Sequence, residues 1–369
     1  MASLADRIGS ESLRGLVADL DGLIKRRVCQ KQTSQAEGIN FRTIRPLHIE
    51  PRMAKKCIQA FFTNIHPVYP FIDRAEFVAQ ATDAHLDGLL QINPPFSALY
   101  HAVLALGSQY LHFGSFVPHN GQAWEMFQVS LGKMSEILAP PVGLMNLQAL
   151  TAMSIFAMSP CCLQLDQTLI SEAARMAQTL RYHKSSNADA SQLRTFWTVY
   201  LIEKLAAFSE CQSSILADED IGCTIPIAPE SVFGDYDWFT SAIRLARISS
   251  IAYTDLFSAS ASSKSKTALA TGIRRIRQLL GNWQVSLPPS LRPGEAIRHS
   301  DMPPSMKLVL LQTQYAYYNI IFAVERLTLH VFRDEANICE ESNMSLISAS
   351  RTVAELILFI DIEPHVPIL

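Results

Sequence analysis

Two long stretches of this 369-residue chain contain no charged side chain, and they constrain the fold more than any other feature. Residues 88–124 and 137–165 lack Asp, Glu, Lys and Arg entirely. Their apolar residues recur at helical rather than alternating spacing, which indicates helices with large buried faces. Hydrophobic residues make up 49% of the chain and charged residues 18%, so a large core can form. We therefore predict an all-α fold, a large multi-helix bundle.

The same stretches raise the alternative of a membrane protein, because about 20 apolar residues are enough to span a bilayer. Prolines and amides interrupt both of them, among them Asn93, Pro94, Pro140 and Pro141. Core helices of a bundle explain such interrupted patterns better. The first residues, MASLADRIGSESLRG, also lack the continuous apolar segment of a secretory signal. We expect an intracellular protein with reduced cysteines.

Helical periodicity predicts a series of helices along the chain. They cover residues 52–65, 73–82, 96–112, 121–138, 145–158, 165–183, 190–209, 237–258, 265–286, 304–333 and 343–361. Residues 1–45 are predicted as an N-terminal helix and polar linker, and residues 46–369 as the helical domain. The low-complexity segment SASASSKS, Ser258–Ser265, is expected to separate two helical halves of that domain.

The segment from Arg194 to Pro226 combines an aromatic-rich helix with a polar loop. Helical spacing places Trp197, Tyr200 and Lys204 within a turn of one another. Three acidic residues, Asp218 to Asp220, follow beyond the helix end, and we predict that they form a solvated turn.

Five further elements accompany this segment in the chain. They are IHPVYPFIDRAEF (65–77), LYHAVLALGSQYL (99–111), SEAARMAQTLRYH (171–183), LGNWQVSLPPSLRP (280–293) and LQTQYAYYNIIFAVERL (311–327). Together with the Asp-Glu-Asp-Ile sequence at 218–221 and the following proline, they resemble the regulatory region, or middle homology region, of fungal zinc-cluster transcription factors. The resemblance implies an all-helical domain that regulates transcription.

The chain departs from the family pattern at four places. Arg181 and Tyr182 replace Gly-Leu, Glu203 and Lys204 replace Asp-Arg, residues 211–213 replace Gly-Arg-Pro, and residues 325–327 replace His-Arg-Pro. The charges of the family motifs are partly kept at these positions, but the loops that contain them need not have the family's conformation. These substitutions put the conformation of the loops, rather than the helical fold, in question.

The zinc-cluster module that precedes this region in the family has no counterpart in the sequence. The seven cysteines are Cys29, Cys57, Cys161, Cys162, Cys211, Cys223 and Cys339. The adjacent pair at 161 and 162 cannot supply the spaced thiolates of a zinc site, so we predict no metal and no cofactor. A formal net charge of -3 also argues against direct DNA binding, because contacts with phosphates need clustered cations.

A cluster of arginines at 274, 275 and 277 has an ordinary structural interpretation. Ile273, Ile276 and Leu280 take the buried face of that predicted helix. We expect all three arginines on its solvent face.

Candidate site residues form three stripes on apolar helices. The first contains His101, Ala105, Ser108 and His112, the second Trp197, Tyr200 and Lys204, and the third Tyr315, Tyr318, Phe322 and Arg326. Glu203 and Glu325 add carboxylates in apolar surroundings. A purely structural alternative stays open for all of them: core histidines with hydrogen bonds, aromatic core residues, and ion pairs of Glu203 with Lys204 or Glu325 with Arg326.

Two functions are compatible with these observations. The favoured one is a transcription-factor-like regulator of a fungal pathway, expected to be one of secondary metabolism, that senses a hydrophobic small molecule or binds a partner protein without its own DNA-binding module. The partner could be a complete zinc-cluster regulator. The ligand-binding residues are then predicted to be Ser108, His112, Trp197, Lys204, Tyr315, Phe322 and Arg326, and the protein nuclear.

The alternative is a cofactor-free cyclase or isomerase of the pericyclase type, located in the cytoplasm. Such an enzyme needs mainly a shaped, dry pocket and one or two positioned acids or hydrogen-bond donors. Its predicted catalytic residues are His101, Tyr200, Glu203 and Tyr318. The absence of the common phosphate-binding, hydrolase and zinc-protease motifs from the sequence argues against other enzyme classes.

Overall fold

The prediction of an all-α fold is confirmed by a computed structural model, which describes residues 47, 49–111, 121–158, 165–184, 188–295 and 302–356. The predicted N-terminal helix and linker, 1–45, lie outside the described residues, so the domain boundary stays a prediction. The helices are α1 Pro51–Asn64, α2 Arg74–Ala81, α3 Leu86–Ile92, α4 Pro94–Ser108, α5 Gln122–Leu131, α6 Met134–Leu138, α7 Leu144–Ala157, α8 Asp166–Thr179, α9 Ala190–Ser209, α10 Trp238–Ala252, α11 Lys266–Val285, α12 Pro304–Val331 and α13 Ala336–Leu356.

Helix α4 is the centre of the first half of the fold. Every residue from Phe96 to Ser108 is buried, because α1, α5 and α7 all pack against this helix. Asn93 begins it by accepting a hydrogen bond from the Phe96 amide at 3.1 Å, and Pro94 and Pro95 occupy its first turn, where no amide donor is needed. The uncharged stretch 88–124 therefore contains a core helix.

The approach of α4 to α1 depends on Gly107. A Cβ atom at this position would lie 1.9 Å from the backbone carbonyl oxygen of Cys57 in α1 and 2.6 Å from its carbonyl carbon. Both atoms belong to a helix backbone, so neither can move aside as a side chain could. Glycine is therefore required for the two helices to meet at this distance.

A short hairpin stands between the loop after α9 and helix α10. Val232–Phe233 (β1) and Tyr236–Asp237 (β2) pair antiparallel, with Val232 opposite Asp237 and Phe233 opposite Tyr236. Gly234 has φ +62°, which the tight turn between the strands needs. Directly after β2, the indole of Trp238 donates to the carbonyl of Val68 at 3.0 Å and so links α10 to the α1–α2 connection.

Helices α11, α12 and α13 are joined by a partly buried ion pair. The Arg277 guanidinium contacts both carboxylate oxygens of Glu325, one of them through its Nε at 2.9 Å, and reaches the Ser342 hydroxyl at 3.2 Å. The prediction that Arg277 lies on the solvent face was therefore wrong, because it is half-buried against α12; Arg274 and Arg275 are exposed as predicted. The suggested pair of Glu325 with Arg326 was also wrong, since Glu325 binds Arg277 and Arg326 is exposed.

Most predicted helices match observed ones, and the differences have local causes. The helix predicted at 121–138 is two helices, interrupted at Gly132 and Lys133, and the one predicted at 343–361 begins at Ala336. Helix α3 and the hairpin were missed because they are too short to show a period. Within the residues that the structure describes, no helix is both long and apolar enough to cross a membrane.

Replacing Gly107 with alanine should destabilise the protein by about 3 kcal/mol, because the added methyl group collides with the α1 backbone. Urea unfolding followed by circular dichroism measures this. The matched control is Gly281→Ala in α11, where a Cβ would meet no atom within 4 Å and a gain of about 0.5 to 1 kcal/mol is expected from helix propensity. Similar effects of the two substitutions would contradict the described contact.

Candidate functional site

Polar side chains along one side of α9 face the loop that follows this helix, residues 211–226. Helix α9 begins at an Asp189 capping box, in which the carboxylate accepts from the Gln192 amide at 2.7 Å. From Thr195 to Lys204 every residue is buried. Buried polar groups need hydrogen-bond partners, and the loop supplies most of them.

The C-terminus of α9 folds back as a Schellman motif. The Gln212 amide donates to the carbonyl of Ala207 at 2.8 Å, and the Cys211 amide donates to that of Phe208 at 3.1 Å. The motif turns the chain at Cys211, which has φ +56°. The loop therefore returns along the helix that it has just left.

Glu203 holds the first part of this loop. Its carboxylate accepts from the Ser214 hydroxyl at 2.7 Å and from the Ile215 amide at 2.6 Å. From the other side, the Gln178 amide group of α8 donates to the Ile215 carbonyl at 2.9 Å. The structural alternative suggested an ion pair between Glu203 and Lys204, and this was wrong. The carboxylate of Glu203 and the ammonium group of Lys204 bind different partners.

Lys204 and Asp218 form the centre of the site. The Lys204 ammonium group, whose side chain is only 2% exposed, donates to the Leu216 carbonyl at 2.5 Å, to the Ser250 hydroxyl at 3.0 Å and to the Asp218 carboxylate at 3.1 Å. Asp218 also accepts from the Tyr200 hydroxyl at 2.6 Å and from the Ser250 hydroxyl at 2.5 Å. We call these four residues, Tyr200, Lys204, Asp218 and Ser250, the Asp218 clamp. It joins α9, the loop and α10.

The clamp changes the proton affinities of its members. Burial alone would raise the pKa of Asp218, but the hydrogen bonds from Ser250 and Tyr200 and the charge of Lys204 outweigh it, so this pKa is lowered. Burial, and then the hydrogen bond to Asp218, raise the pKa of Tyr200, which therefore donates as a neutral phenol. Burial also raises the pKa of Glu203, against the effect of its two hydrogen bonds.

The last part of the loop is held by Trp197 and His183. The Trp197 indole donates to the Thr224 carbonyl at 2.8 Å, and the Arg247 guanidinium lies 5.8 Å from the centre of the Trp197 ring. The amides of Gly222 and Cys223 both donate to the His183 carbonyl, at 2.9 and 3.2 Å. The loop is thus fixed at both ends and in its middle.

This arrangement corrects the prediction of a solvated acidic turn. Glu219 and Asp220 are exposed, and Asp220 makes an exposed ion pair with Lys184 at 3.1 Å. Asp218, however, is only 23% exposed and is the acceptor at the centre of the clamp. The acidic triplet therefore contains one structural carboxylate and two solvated ones.

The predicted stripe on α4 lies in the core. The His101 ring contacts the Ser97 carbonyl through Nδ1 at 2.7 Å, and the Ser108 hydroxyl donates to the Ala105 carbonyl at 2.8 Å, so both satisfy their polar groups within their own helix. Burial lowers the pKa of His101, which favours the neutral ring. His112, the last residue of this stripe, lies outside the described residues.

The predicted stripe on α12 is only partly buried. Tyr318 is buried, and its ring lies 5.2 Å edge-on from that of Tyr317, whereas Tyr315 and Phe322 are half-buried and Arg326 is exposed. Burial raises the pKa values of Tyr315 and Tyr318. Within the described part of the chain, no hydrogen bond, ion pair or ring contact joins the candidate residues of α4, α9 and α12.

The structure therefore brings together Trp197, Tyr200, Glu203 and Lys204, but not the three stripes as a whole. Sequence reasoning missed Ser214 and Ser250 as partners, because a serine in a loop or helix gives no signal by itself. The acidic triplet within the loop was the available signal for Asp218. The ligand-binding and catalytic roles assigned to these residues stay predictions.

Metal binding finds no support in the described ranges, where no three His, Cys, Asp or Glu side chains are grouped as ligands. Burial raises the pKa of the Cys57 and Cys223 thiols to about 11, which keeps them protonated at neutral pH. The geometry of the site is therefore that of an interaction network within the protein.

Comparison with known proteins agrees with this helical architecture. The family model of the fungal specific transcription factor domain matches residues 58–284. An ABC-transporter-regulating transcription factor of Aspergillus fumigatus is 25% identical over 75% of this chain and 33% of its own length. A protein of the same description from Aspergillus oryzae is 24% identical over 73% of this chain and 32% of its own length.

A negative regulator of pleiotropic drug resistance from Candida glabrata is 24% identical over 60% of this chain and 24% of its own length. The chain spans about a third of the length of the two Aspergillus relatives. No solved structure matches it.

The match covers more than half of the chain, and it includes the helices that carry the Asp218 clamp. The chain belongs to the fungal specific transcription factor domain family.

Two non-glycine residues of the described chain have a left-handed backbone. Arg181 has φ +57° and Cys211 has φ +56°. A left-handed backbone costs a residue with a Cβ atom about 1 to 2 kcal/mol. The turns at these two residues therefore form at the expense of some stability.

Changing Arg181 or Cys211 to glycine should each stabilise the protein by about 1 kcal/mol, because the strain disappears and glycine is preferred at a helix C-terminus. The midpoint of urea unfolding measures the effect. Ala207→Gly, at a helical position of α9, is the control and should destabilise by about 1 kcal/mol. A loss of stability on replacing both left-handed residues would show that the turns are held differently.

Replacing Asp218 with asparagine should destabilise the protein by about 3 kcal/mol, because the buried Lys204 ammonium group loses its counter-charge. The control is Glu219→Gln, next to it but exposed, which should change stability by less than about 0.5 kcal/mol. Urea unfolding at pH 7 compares the two variants with the unaltered protein.

The loss of stability caused by Asp218→Asn should also depend on pH, and it should be smaller in acid. The folded pKa of Asp218 lies below its unfolded value of about 3.9, so its contribution is present at higher pH and is lost as pH falls through the folded pKa. The difference between the unaltered protein and Asp218→Asn should therefore shrink in acid. The clamp would be contradicted if Asp218→Asn and Glu219→Gln changed the free energy of unfolding equally. It would also be contradicted if the loss of stability in Asp218→Asn grew in acid.

Proposed function

We propose that this domain is the regulatory part of a fungal transcriptional regulator, and that it responds to a hydrophobic small molecule or to a partner protein. The membership of residues 58–284 in the transcription factor domain family is the observation that carries the proposal. The names of the two Aspergillus relatives also describe transcription factors. We place the protein in the nucleus on this basis.

The proposed target genes belong to the metabolism or export of small molecules. The names of the relatives refer to the regulation of ABC transporters and to pleiotropic drug resistance. A pathway of secondary metabolism, expected from the sequence, is a related class of target. In both cases the signal would be a compound that the target genes make, modify or remove.

We further propose that contact with DNA is made by another part of the regulator or by a complete zinc-cluster partner. The formal net charge of -3 gives these residues little electrostatic attraction to phosphates. Of the basic side chains around the site, Lys204 binds Asp218 and Lys184 binds Asp220, both at 3.1 Å, whereas Arg247 is exposed beside the Trp197 ring.

The network around α9 suggests how a signal could be transmitted. The Asp218 clamp holds the loop 211–226 between α9 and α10, so a ligand or partner that favours a released loop would change the surface presented by both helices. No observation favours the alternative of a cofactor-free cyclase or isomerase. The polar atoms of Tyr200 and Glu203 bind the protein's own loop, and His101 binds its own helix.

Deletion of the gene in its host fungus, followed by profiling of transcripts and metabolites, tests the proposal. We expect coordinated changes in a group of transcripts, restored by the unaltered full chain. The clamp variant Asp218→Asn should restore them less well than the matched variant Glu219→Gln. Loss of a single metabolite with unchanged transcripts would contradict a regulator and support the enzyme.

A further inference from the structure

A small cleft opens beside the Asp218 clamp, between α8, α9 and the first part of the loop. Its volume is about 70 Å³. The side chains around it come from Gln167, Ile170 and Ser171 of α8, Glu203, Ala206, Ala207 and Glu210 of α9, and Gln212, Ser213 and Ile215 of the loop. This space suits a group of a few atoms rather than a whole metabolite, for which cavities of roughly 300 Å³ or more are usual.

Glu203 is the buried charged group of this cleft, with only 3% of the residue exposed. Its carboxylate accepts from one hydroxyl and one amide, but among the described residues no cation lies within ion-pair distance of it. The other buried carboxylate in the described ranges, that of Glu325, has Arg277 as its counter-ion. Glu203 is therefore a buried acid with no cation in contact among the described residues, although the more distant charge of Lys204 still favours its ionised form.

The rest of the lining has the chemistry to complement a cation. It contains no Lys, Arg or His, and it includes a second carboxylate, Glu210, which is exposed. Hydroxyl and carboxamide oxygens from Ser171, Ser213 and Gln167 supply further acceptors. Ile170 and Ala206 provide apolar wall, as a short alkyl chain would require.

We propose that this cleft binds a primary ammonium group on a short alkyl chain, with Glu203 as its counter-ion. An ammonium group has three donors and no acceptor, which fits a lining of carboxylate, hydroxyl and carboxamide oxygens. A guanidinium group is planar and larger, and it fits a cleft of this volume less well. The proposal goes beyond the regulatory function and does not rest on it.

Binding of n-butylammonium to the purified full chain tests the proposal, measured by saturation-transfer NMR titration. We expect saturable binding in the millimolar range. Glu203→Gln, which keeps the shape and can still accept from the Ile215 amide, should weaken it at least tenfold. Glu219→Gln, an exposed acid outside the cleft, should leave it unchanged, and n-butanol, similar in shape but uncharged, should not compete.

A second variant keeps the test informative if Glu203→Gln does not fold. Ala206→Leu should fill the cleft while leaving the Glu203 carboxylate in place, and it should also weaken binding at least tenfold. Two further ligands distinguish the source of the ammonium group. Tighter binding of Nα-acetyl-lysine N-methylamide indicates a lysine of a partner protein, and tighter binding of cadaverine indicates a free diamine.

The proposal would be overturned by the absence of saturable n-butylammonium binding to the unaltered protein. Equal binding by the unaltered protein, Glu203→Gln and Ala206→Leu would overturn it as well, because the cation would then bind elsewhere. Neither result would affect the proposed regulation of transcription, which is measured in cells by transcript changes.

Discussion

The arrangement of the loop and of helices α9 and α10 depends on one buried ammonium group, that of Lys204. A lysine that is almost fully buried is costly unless acceptors surround it, and the Leu216 carbonyl, the Ser250 hydroxyl and the Asp218 carboxylate do so. Two of these three acceptors belong to the loop after α9. The loop is therefore held at a fixed place by electrostatics, although few of its side chains are large and apolar. The relative placement of α9 and α10 follows, because Ser250 belongs to the second helix.

The two left-handed residues, Arg181 and Cys211, turn the chain at the ends of two neighbouring helices. Arg181 follows the end of α8 and leads into the segment of His183, and Cys211 follows the end of α9 and leads into the loop. The His183 carbonyl then binds the loop amides of Gly222 and Cys223. The hydrogen bonds of the loop depend on these two turns. The protein can therefore tolerate moderate backbone strain at Arg181 and Cys211.

The sequence predicted the helical scaffold well, because long helices carry a clear period and their ends carry recognisable residues. Helix α9 was predicted with the bounds that the structure shows, and Trp197, Tyr200 and Lys204 were correctly placed together. Partners distant in sequence could not be predicted. Asp218 and Arg277 were both expected in solvent, since a charged side chain is usually exposed and only the fold reveals Lys204 and Glu325 beside them. The resemblance to the transcription factor family, drawn from short motifs, is confirmed.

These features together describe a member of the fungal specific transcription factor domain family in which one loop is clamped against two helices and borders a small acidic cleft. Hydrogen exchange of the loop amides tests this account most directly. The amides of Gln212, Ile215, Gly222 and Cys223 all donate within the protein, so they should be protected nearly as well as those of α9. In Asp218→Asn their protection should fall while that of α4 is kept. Unprotected loop amides in the unaltered protein would contradict the central claim that the loop is fixed to α9.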